Sequence, residues 1–386
     1  MKRKILFVVT YFDCGGINRA LQNFLLLYDT RRYDISVFGM VPDGMFARLY
    51  KNCRILPRDI CLSALMTRFS HQKVGLLWLF SLVVKLLNIV TKGYLGKRIK
   101  KRSAKRLLRH GYDTVIAFSE GAPTYFVSLM NHPYSIAWIH CDYVSYRQFN
   151  RDADEFDLYS TFRHIVCVAD YTRHTFLSYY PKFAGRTVTV YNLLDVKMIQ
   201  TKAVSTVNAI STNSCFKIVS VGRLDPVKRL SVVPYLAKQL VEAGCEFQWF
   251  IIGPKGGTQD EYERLLLSIT DQGMSEYVFY VGEKDNPYPF IEKADLLVNT
   301  SLSEACPYVI NEAKVLHTPV ICTDFGSSKE FIQDGVNGFI RPIESISDAI
   351  IEFITNIELQ IKIKNNLNHF EYNNSSILEQ IYRIID

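Results

Sequence analysis

Two cations and two acids stand at spacings that can handle a phosphate and a sugar. Arg223 and Lys228 lie in VGRLDPVKRL, just beyond FKIVSVG, a run that reads as a buried strand. Ligands of open α/β sheets sit outside the carboxyl ends of the strands, so this pair can face a phosphate, although an isolated Arg and Lys can equally make surface salt bridges. Farther on, NTSLSEACPYVINEAKVLHTPVICTD carries Glu304 in a loop and Glu312 eight residues later. Pro307 opens a helix there, since a proline in the first turn removes no intrahelical hydrogen bond. The loop Ala305-Cys306-Pro307 then ends on free backbone N–H groups and a partial positive charge. Glu304 can accept hydrogen bonds from sugar hydroxyls and Glu312 from a ribose. A hydrolase using the two carboxylates across a glycosidic bond is a competing chemistry, but it leaves Arg223 and Lys228 without a role.

The first half offers fewer such residues. Gly15-Gly16 follows the first strand and precedes a helix, where small residues let the backbone approach a phosphate or sugar; a tight turn explains the pair as well. The pattern GxGxxG is absent, which argues against a dinucleotide fingerprint. SIAWIHCDY puts His140 and Asp142 at the end of another strand, and Asn192 lies in TVYNLLD, where a turn role is open.

Short runs rich in Val, Ile and Phe must position these residues. ILFVVT from Ile5, DISVFGM from Asp34, DTVIAF from Asp113, SIAWIH from Ser135 and IVCVA from Ile165 read as buried parallel strands. A second series follows: FKIVSVG from Phe216, FQWFIIG from Phe247, YVFYVG from Tyr277, DLLVNT from Asp295 and PVICTD from Pro319. Amphipathic stretches such as Arg19 to Tyr28 and Val232 to Gly244 lie between them. The alternation predicts an α/β protein of two Rossmann-like, doubly wound domains facing across a cleft. The expected bounds are 1–195 for the first domain, 196–214 for a linker poor in periodicity, and 215–386 for the second domain with its C-terminal helices.

The 386 residues are 48% hydrophobic and carry a formal charge of +7, very unevenly spread. Between Ile60 and Tyr112 there is no Asp or Glu but twelve Lys and Arg, so the basicity belongs to one segment. Within it, VGLLWLFSLVVKLLNIV, from Val74 to Val90, approaches spanning length yet contains Lys85. A spanning helix would split the first sheet across a membrane, so the segment reads as a helix partly core and partly interfacial, continuing into the basic run Lys97 to Arg109. Residues 74–109 thus suit an anionic membrane surface; no aromatic-interleaved or zinc-knuckle motif accompanies the basic run, so nucleic acid is not expected. The opening MKRKILFVVT is too short in its apolar part for a secretory leader and reads as a first strand. Nine cysteines without CxxC pairs suit a reducing compartment, most of them as small core residues.

The E-x7-E spacing, Ser301 before it, Ala313 after it, the Pro319-Val320 strand and DGVNGFI from Asp334 together resemble the family 4 retaining glycosyltransferases of GT-B fold, of the bacterial capsular, exopolysaccharide or lipopolysaccharide type. The resemblance is strongest from about Val221 to Pro342. It implies that Arg223 and Lys228 hold a donor diphosphate, that Glu304 contacts the transferred sugar and that Glu312 contacts the ribose. It also implies that Ala305, Cys306, Pro307, Gly15 and Gly16 line the donor site and that His140 faces the sugar, with Asp142 a further candidate and Asn192 matching an Asn common near the interdomain crossing. The implied activity is transfer of a hexose-type sugar from a nucleotide diphosphate donor, a UDP-sugar, to a glycan or lipid-linked acceptor, without cofactor or metal, on the cytoplasmic face of the membrane. A non-catalytic nucleotide-sugar-binding subunit and an epimerase on the same fold are the alternatives. Two departures from the family pattern stand out: Ala305 and Cys306 replace a usual Gly and Phe, and Arg229 stands where Gly is frequent.

Overall fold

In a computed structural model the chain is described over residues 1–12, 15–41, 50–67, 75–149, 155–205, 215–256 and 259–386. Cys14, Arg68, Lys73, Val74 and the 206–214 part of the expected linker lie outside the described residues. All ten expected strands are present, and each pairs in parallel.

The first unit holds β1 (Arg3–Tyr11), β2 (Tyr33–Val41), β3 (Arg54–Ile55), β4 (Thr114–Ala117), β5 (Ser135–Ile139), β6 (His164–Cys167) and β7 (Thr187–Thr189), in the order β3-β2-β1-β4-β5-β6-β7. The second holds β8 (Phe216–Val221), β9 (Phe247–Ile252), β10 (Val278–Gly282), β11 (Leu296–Asn299), β12 (Val320–Thr323) and β13 (Gly338–Arg341), in the order β10-β9-β8-β11-β12-β13. Central strands such as β4, β5, β11 and β12 are buried along their whole length, so both faces must be covered by helices, which is why they read as unbroken apolar runs. β3, β7 and β13 were not expected from the sequence; they are the short edge strands and carry too few apolar residues to stand out.

The second core centres on Trp249, whose Nε1 donates to Ser220 Oγ at 3.0 Å, while that hydroxyl donates to Val298 O at 2.7 Å. One buried relay therefore ties β9, β8 and β11 together beneath the ends that matter most. Among the described cysteines, Cys167, Cys245 and Cys322 are buried; the other five are half-buried or exposed, so fewer serve the core than expected.

The division of the chain differs from that read off the sequence. One unit comprises Met1–Leu193 together with Asn374–Asp386, the other Leu194–Asn373. The expected linker opens with a helix, Val196–Ala203, capped by the Asp195 carboxylate on Met198 N at 3.0 Å, and this helix packs within the second unit. The C-terminal helix Asn374–Ile385 buries Ile377, Ile381 and Ile385 on the first unit, where Thr114 Oγ1 donates to Ile385 O at 3.0 Å. Its amphipathic pattern is equally good for either core, so periodicity alone could not say which core it joins.

The segment around Leu76 also departs from expectation. Helix Leu76–Val90 buries only Ser81 and Val84, leaving Leu76, Leu79, Val83, Leu86, Ile89 and Val90 all more than half exposed. It does not run on into the basic helix Tyr94–Leu108: Lys92 and Gly93 both take positive φ, 49° and 84°, and the two axes meet at 117°. Gly93 makes that reversal cheap. Among the described residues no single helix is long and apolar enough to cross a membrane.

Candidate functional site

In the second sheet, β8 has β9 on one side and β11 on the other, so the switch point lies between β8 and β11. Arg223 and Lys228 follow β8, and Glu304 follows β11; both sets of sequence-predicted residues therefore open at the crevice where such sheets bind ligands. The two loops clasp each other through Leu302 N to Val227 O at 2.7 Å and Thr300 Oγ1 to Lys228 O at 2.8 Å.

Lys228 Nζ meets Glu304 Oε1 at 2.5 Å, with side chains only 25% and 11% exposed. A pair so shielded is weakly screened by salt, unlike the surface pairs typical of an isolated Lys. Glu304 Oε1 also accepts from Ser301 Oγ at 2.8 Å and from Asn299 Nδ2 at 3.4 Å, and the Glu304 carbonyl accepts from Ser327 Oγ at 2.8 Å. Arg223 is held differently: Nη2 lies 3.0 Å from Asp225 Oδ2 and the guanidinium is 55% exposed. Such a pair is worth little, so an anion can displace Asp225 at small cost.

Glu312 lies on helix Tyr308–Val315, 3% exposed, and its Oε1 accepts from Tyr288 Oη at 3.3 Å. Pro307 is the residue before that helix rather than its first member, with φ −70° and ψ 110°. Ala305 is buried and is not among the residues of positive φ, so its Cβ replaces the family's usual glycine without backbone strain; Cys306 is half-buried beside it. Lys314, which sequence reasoning missed, anchors the same helix from behind. Its buried Nζ donates to Phe331 O at 2.7 Å and lies 4.3 Å from the centre of the Phe370 ring, and burial pushes its pKa down to about 8. A lone Lys on a helix gives no sequence signal of such a role.

Arg229 explains the second departure. Its φ is 50° and ψ 35°, the left-handed region that favours glycine, and its Nε donates to Thr300 O at 3.0 Å. We expect Arg229→Gly to relieve about 1 kcal/mol of backbone strain while losing a hydrogen bond of similar worth, leaving stability nearly unchanged. Arg229→Ala keeps the strain and loses the bond, so its urea midpoint falls below that of Arg229→Gly.

In the first unit the switch point lies between β1 and β4. Gly15 precedes helix Gly16–Leu27, its carbonyl accepting from Arg19 N at 3.0 Å, and a Cβ at Gly16 would have nothing within 4 Å. The fold itself thus has no need of a glycine at 16. His140 follows β5 and packs on Phe118, ring centres 4.7 Å apart; its Nε2 is enclosed without a hydrogen-bond partner among the described residues. Burial pushes its pKa down to about 3, so the imidazole is neutral at any physiological pH. The folded chain resists a proton that the unfolded chain takes below pH 6.5, so this group lowers stability as pH falls from 6.5 towards 3. The His140 ring carbons should accordingly show no NMR titration between about pH 5 and 8; a midpoint near 6.5 would contradict the burial described.

Asp142 serves the helix that follows, accepting from Val144 N at 3.1 Å and Ser145 Oγ at 2.7 Å. Asn192 is buried at the end of the first unit. Gly15, Gly16, His140, Asp142 and Asn192 all belong to the first unit, while Arg223, Lys228, Glu304, Ala305, Cys306, Pro307 and Glu312 belong to the second.

Two parallel doubly wound sheets, the second with polar residues gathered at its switch point, are the architecture of the GT-B class of glycosyltransferase folds. Residues 211–370 match the family "Glycosyl transferases group 1", so the second unit carries the domain of that family. A protein of Campylobacter jejuni subsp. jejuni serotype O:2, N-acetylgalactosamine-N,N'-diacetylbacillosaminyl-diphospho-undecaprenol 4-alpha-N-acetylgalactosaminyltransferase, is 28% identical over 157 residues, covering 40% of each chain. The amylovoran biosynthesis glycosyltransferase AmsK of Erwinia amylovora is 28% identical over 134 residues, 33% of this chain and 32% of its own. The matched stretch thus spans half or less of the length of the curated relatives. Among solved structures, Anabaena Alr3699/HepE in complex with UDP-glucose superposes with a TM-score of 0.76 at 19% identity, covering 98% of both chains, which shows the shared fold.

Proposed function

We propose that the chain is a retaining glycosyltransferase that moves a hexose-type sugar from a UDP-sugar to a glycan or lipid-linked acceptor in cell-surface polysaccharide synthesis. The observation that carries this reading is the shielded Lys228–Glu304 contact at the β8/β11 switch point, with Arg223 beside it on an easily displaced partner. As the bond from the anomeric carbon to the phosphate oxygen breaks, its electron pair goes to the diphosphate. Lys228, Arg223 and the N-terminus of helix Tyr308–Val315 stabilise that growing charge more than the ground state. The acceptor hydroxyl bonds to the anomeric carbon on the same face, and its proton passes to a phosphate oxygen. Glu304 orients the transferred sugar, and no metal is required because the cations supply the charge.

The relatives support the donor and acceptor classes: one solved neighbour holds UDP-glucose, and the Campylobacter relative bears diphospho-undecaprenol in its name. The exposed apolar helix Leu76–Val90 beside the basic helix Tyr94–Leu108 supports a peripheral position on the cytoplasmic membrane face.

Incubating the purified chain with UDP-, GDP- and ADP-sugars and bacterial lipid extract, and following diphosphate release and the product's anomeric NMR signals, tests the reading. The expected result is release from a UDP-sugar with retained configuration, unaffected by EDTA. An inverted centre, or no diphosphate from any donor, overturns it.

A further inference from the structure

The switch point of the first sheet presents an acid that the mechanism above does not use. Beyond β4 the chain runs Phe118-Ser119-Glu120-Gly121, and the Glu120 carboxylate turns towards the end of β5, where its Oε2 accepts the His140 backbone N–H at 3.0 Å. The chain leaves Glu120 through Gly121 at φ 74° and ψ −116°, a conformation essentially restricted to glycine.

The surroundings fix this arrangement from both sides. Thr124 Oγ1 holds Ser119 O at 2.7 Å. On the other side the Tyr146 hydroxyl stands over Gly121, 3.5 Å from where a Cβ would be, and donates to Glu155 Oε1 at 3.0 Å. Tyr143 donates to the other oxygen of Glu155. A half-buried carboxylate that accepts the first backbone N–H beyond a strand, set there by a glycine-only turn, is a device for placing the residue it holds. That residue is His140, whose imidazole is clamped by Phe118 and Trp138 and whose Nε2 lacks a partner among the described residues.

We propose that Glu120 is a positioning residue: by accepting the His140 N–H it fixes the first residue beyond β5 and holds the imidazole against Phe118, at the place where the glycosyltransferase reading puts the sugar. The identity of the ligand rests on the glycosyltransferase reading; the coupling of Glu120 to His140 does not.

The test is a double-mutant cycle on the full chain with Glu120→Ala, Glu120→Gln, His140→Ala and Glu120→Ala/His140→Ala, read by kcat, donor KM and exchange of the His140 amide hydrogen. Glu120→Ala should lose at least tenfold in kcat with donor KM within about threefold. Glu120→Gln, whose side-chain carbonyl still accepts the N–H, should recover most of that loss. The double variant should be no slower than His140→Ala alone. Amide exchange at His140 should speed up at least tenfold in Glu120→Ala and stay slow in Glu120→Gln. Losses that multiply in the double variant, or an amide equally protected in Glu120→Ala, overturn the proposal. A Glu120→Gln variant as slow as Glu120→Ala with a protected amide also overturns it, since Glu120 would then act through its charge. Should Glu120→Ala not fold, Glu120→Asp, one methylene shorter, takes its place. If the parent consumes no nucleotide sugar, the functional reading fails and the exchange measurement alone decides the coupling.

Discussion

Lys228→Ala should lower kcat/KM for the donor by about tenfold to a hundredfold, the worth of a charge-assisted contact to phosphate at roughly 1.5 to 3 kcal/mol. The structure adds a second cost, because Lys228 also neutralises Glu304, and removing it leaves a carboxylate that is 11% exposed without its cation. Glu304→Gln keeps the geometry, since its amide can still face Ser301 and Asn299, but loses the charge. It should lower kcat by about 10²-fold with little change in donor KM, a loss of the size seen when a group that stabilises the transition state is removed. Because the two side chains touch, the double variant should lose less than the product of the single losses. Steady-state kinetics on the four proteins decide it; independent, multiplicative effects would separate Lys228 from Glu304 and remove the donor-site assignment.

Anionic vesicles should bind the parent chain and release it in high salt. Lys97, Lys101, Arg102 and Lys105 are exposed on helix Tyr94–Leu108, and Arg98, Lys101, Arg102, Lys105 and Arg109 line a groove of about 640 Å³. At about 1 kcal/mol for each basic residue near an anionic surface, replacing Lys97, Lys101, Arg102 and Lys105 by Gln should weaken vesicle binding by two to three orders of magnitude. Replacing Leu79, Val83 and Leu86, each just over half exposed, by Ser should weaken binding to anionic and neutral vesicles alike, without lowering the melting temperature. Co-sedimentation with vesicles of phosphatidylglycerol and phosphatidylcholine measures both. A charge-neutralised variant that pellets like the parent would reduce the basic run to a solvated face.

What could be read from the sequence, and what could not, follows from how far each signal reaches along the chain. The ten main strands are local apolar runs, and Arg223, Lys228 and Glu304 stand in local motifs after β8 and β11, so the strands and the place of these side chains were legible. The contact of Lys228 with Glu304 joins residues far apart in sequence, and only the adjacency of β8 and β11 creates it. Arg229 was noticed as a misfit, but the left-handed turn that makes glycine usual there is a three-dimensional fact. Glu120 gave no signal at all, because an acid in FSEGAP looks like any loop residue until β4 and β5 are set side by side. The helix Leu76–Val90 was legible as apolar and partly interfacial, but not how little of it is covered, since hydropathy does not say which apolar surface finds a partner.

The return of Asn374–Asp386 to the first unit has a consequence for how the polypeptide comes into being. Tyr382 packs against Tyr33 with ring centres 5.3 Å apart and its hydroxyl oxygen accepts from Asp29 N at 2.9 Å, while Arg32 meets Asp386 at 2.6 Å. During translation the whole of Leu194–Asn373 emerges before this helix does, so the second unit can be finished while the first still lacks its closing piece. The nascent first unit therefore waits with the sites of Ile377, Ile381 and Ile385 uncovered, and a ribosome that stalls before Asn374 leaves a chain with one complete domain and one open to chaperones and proteases.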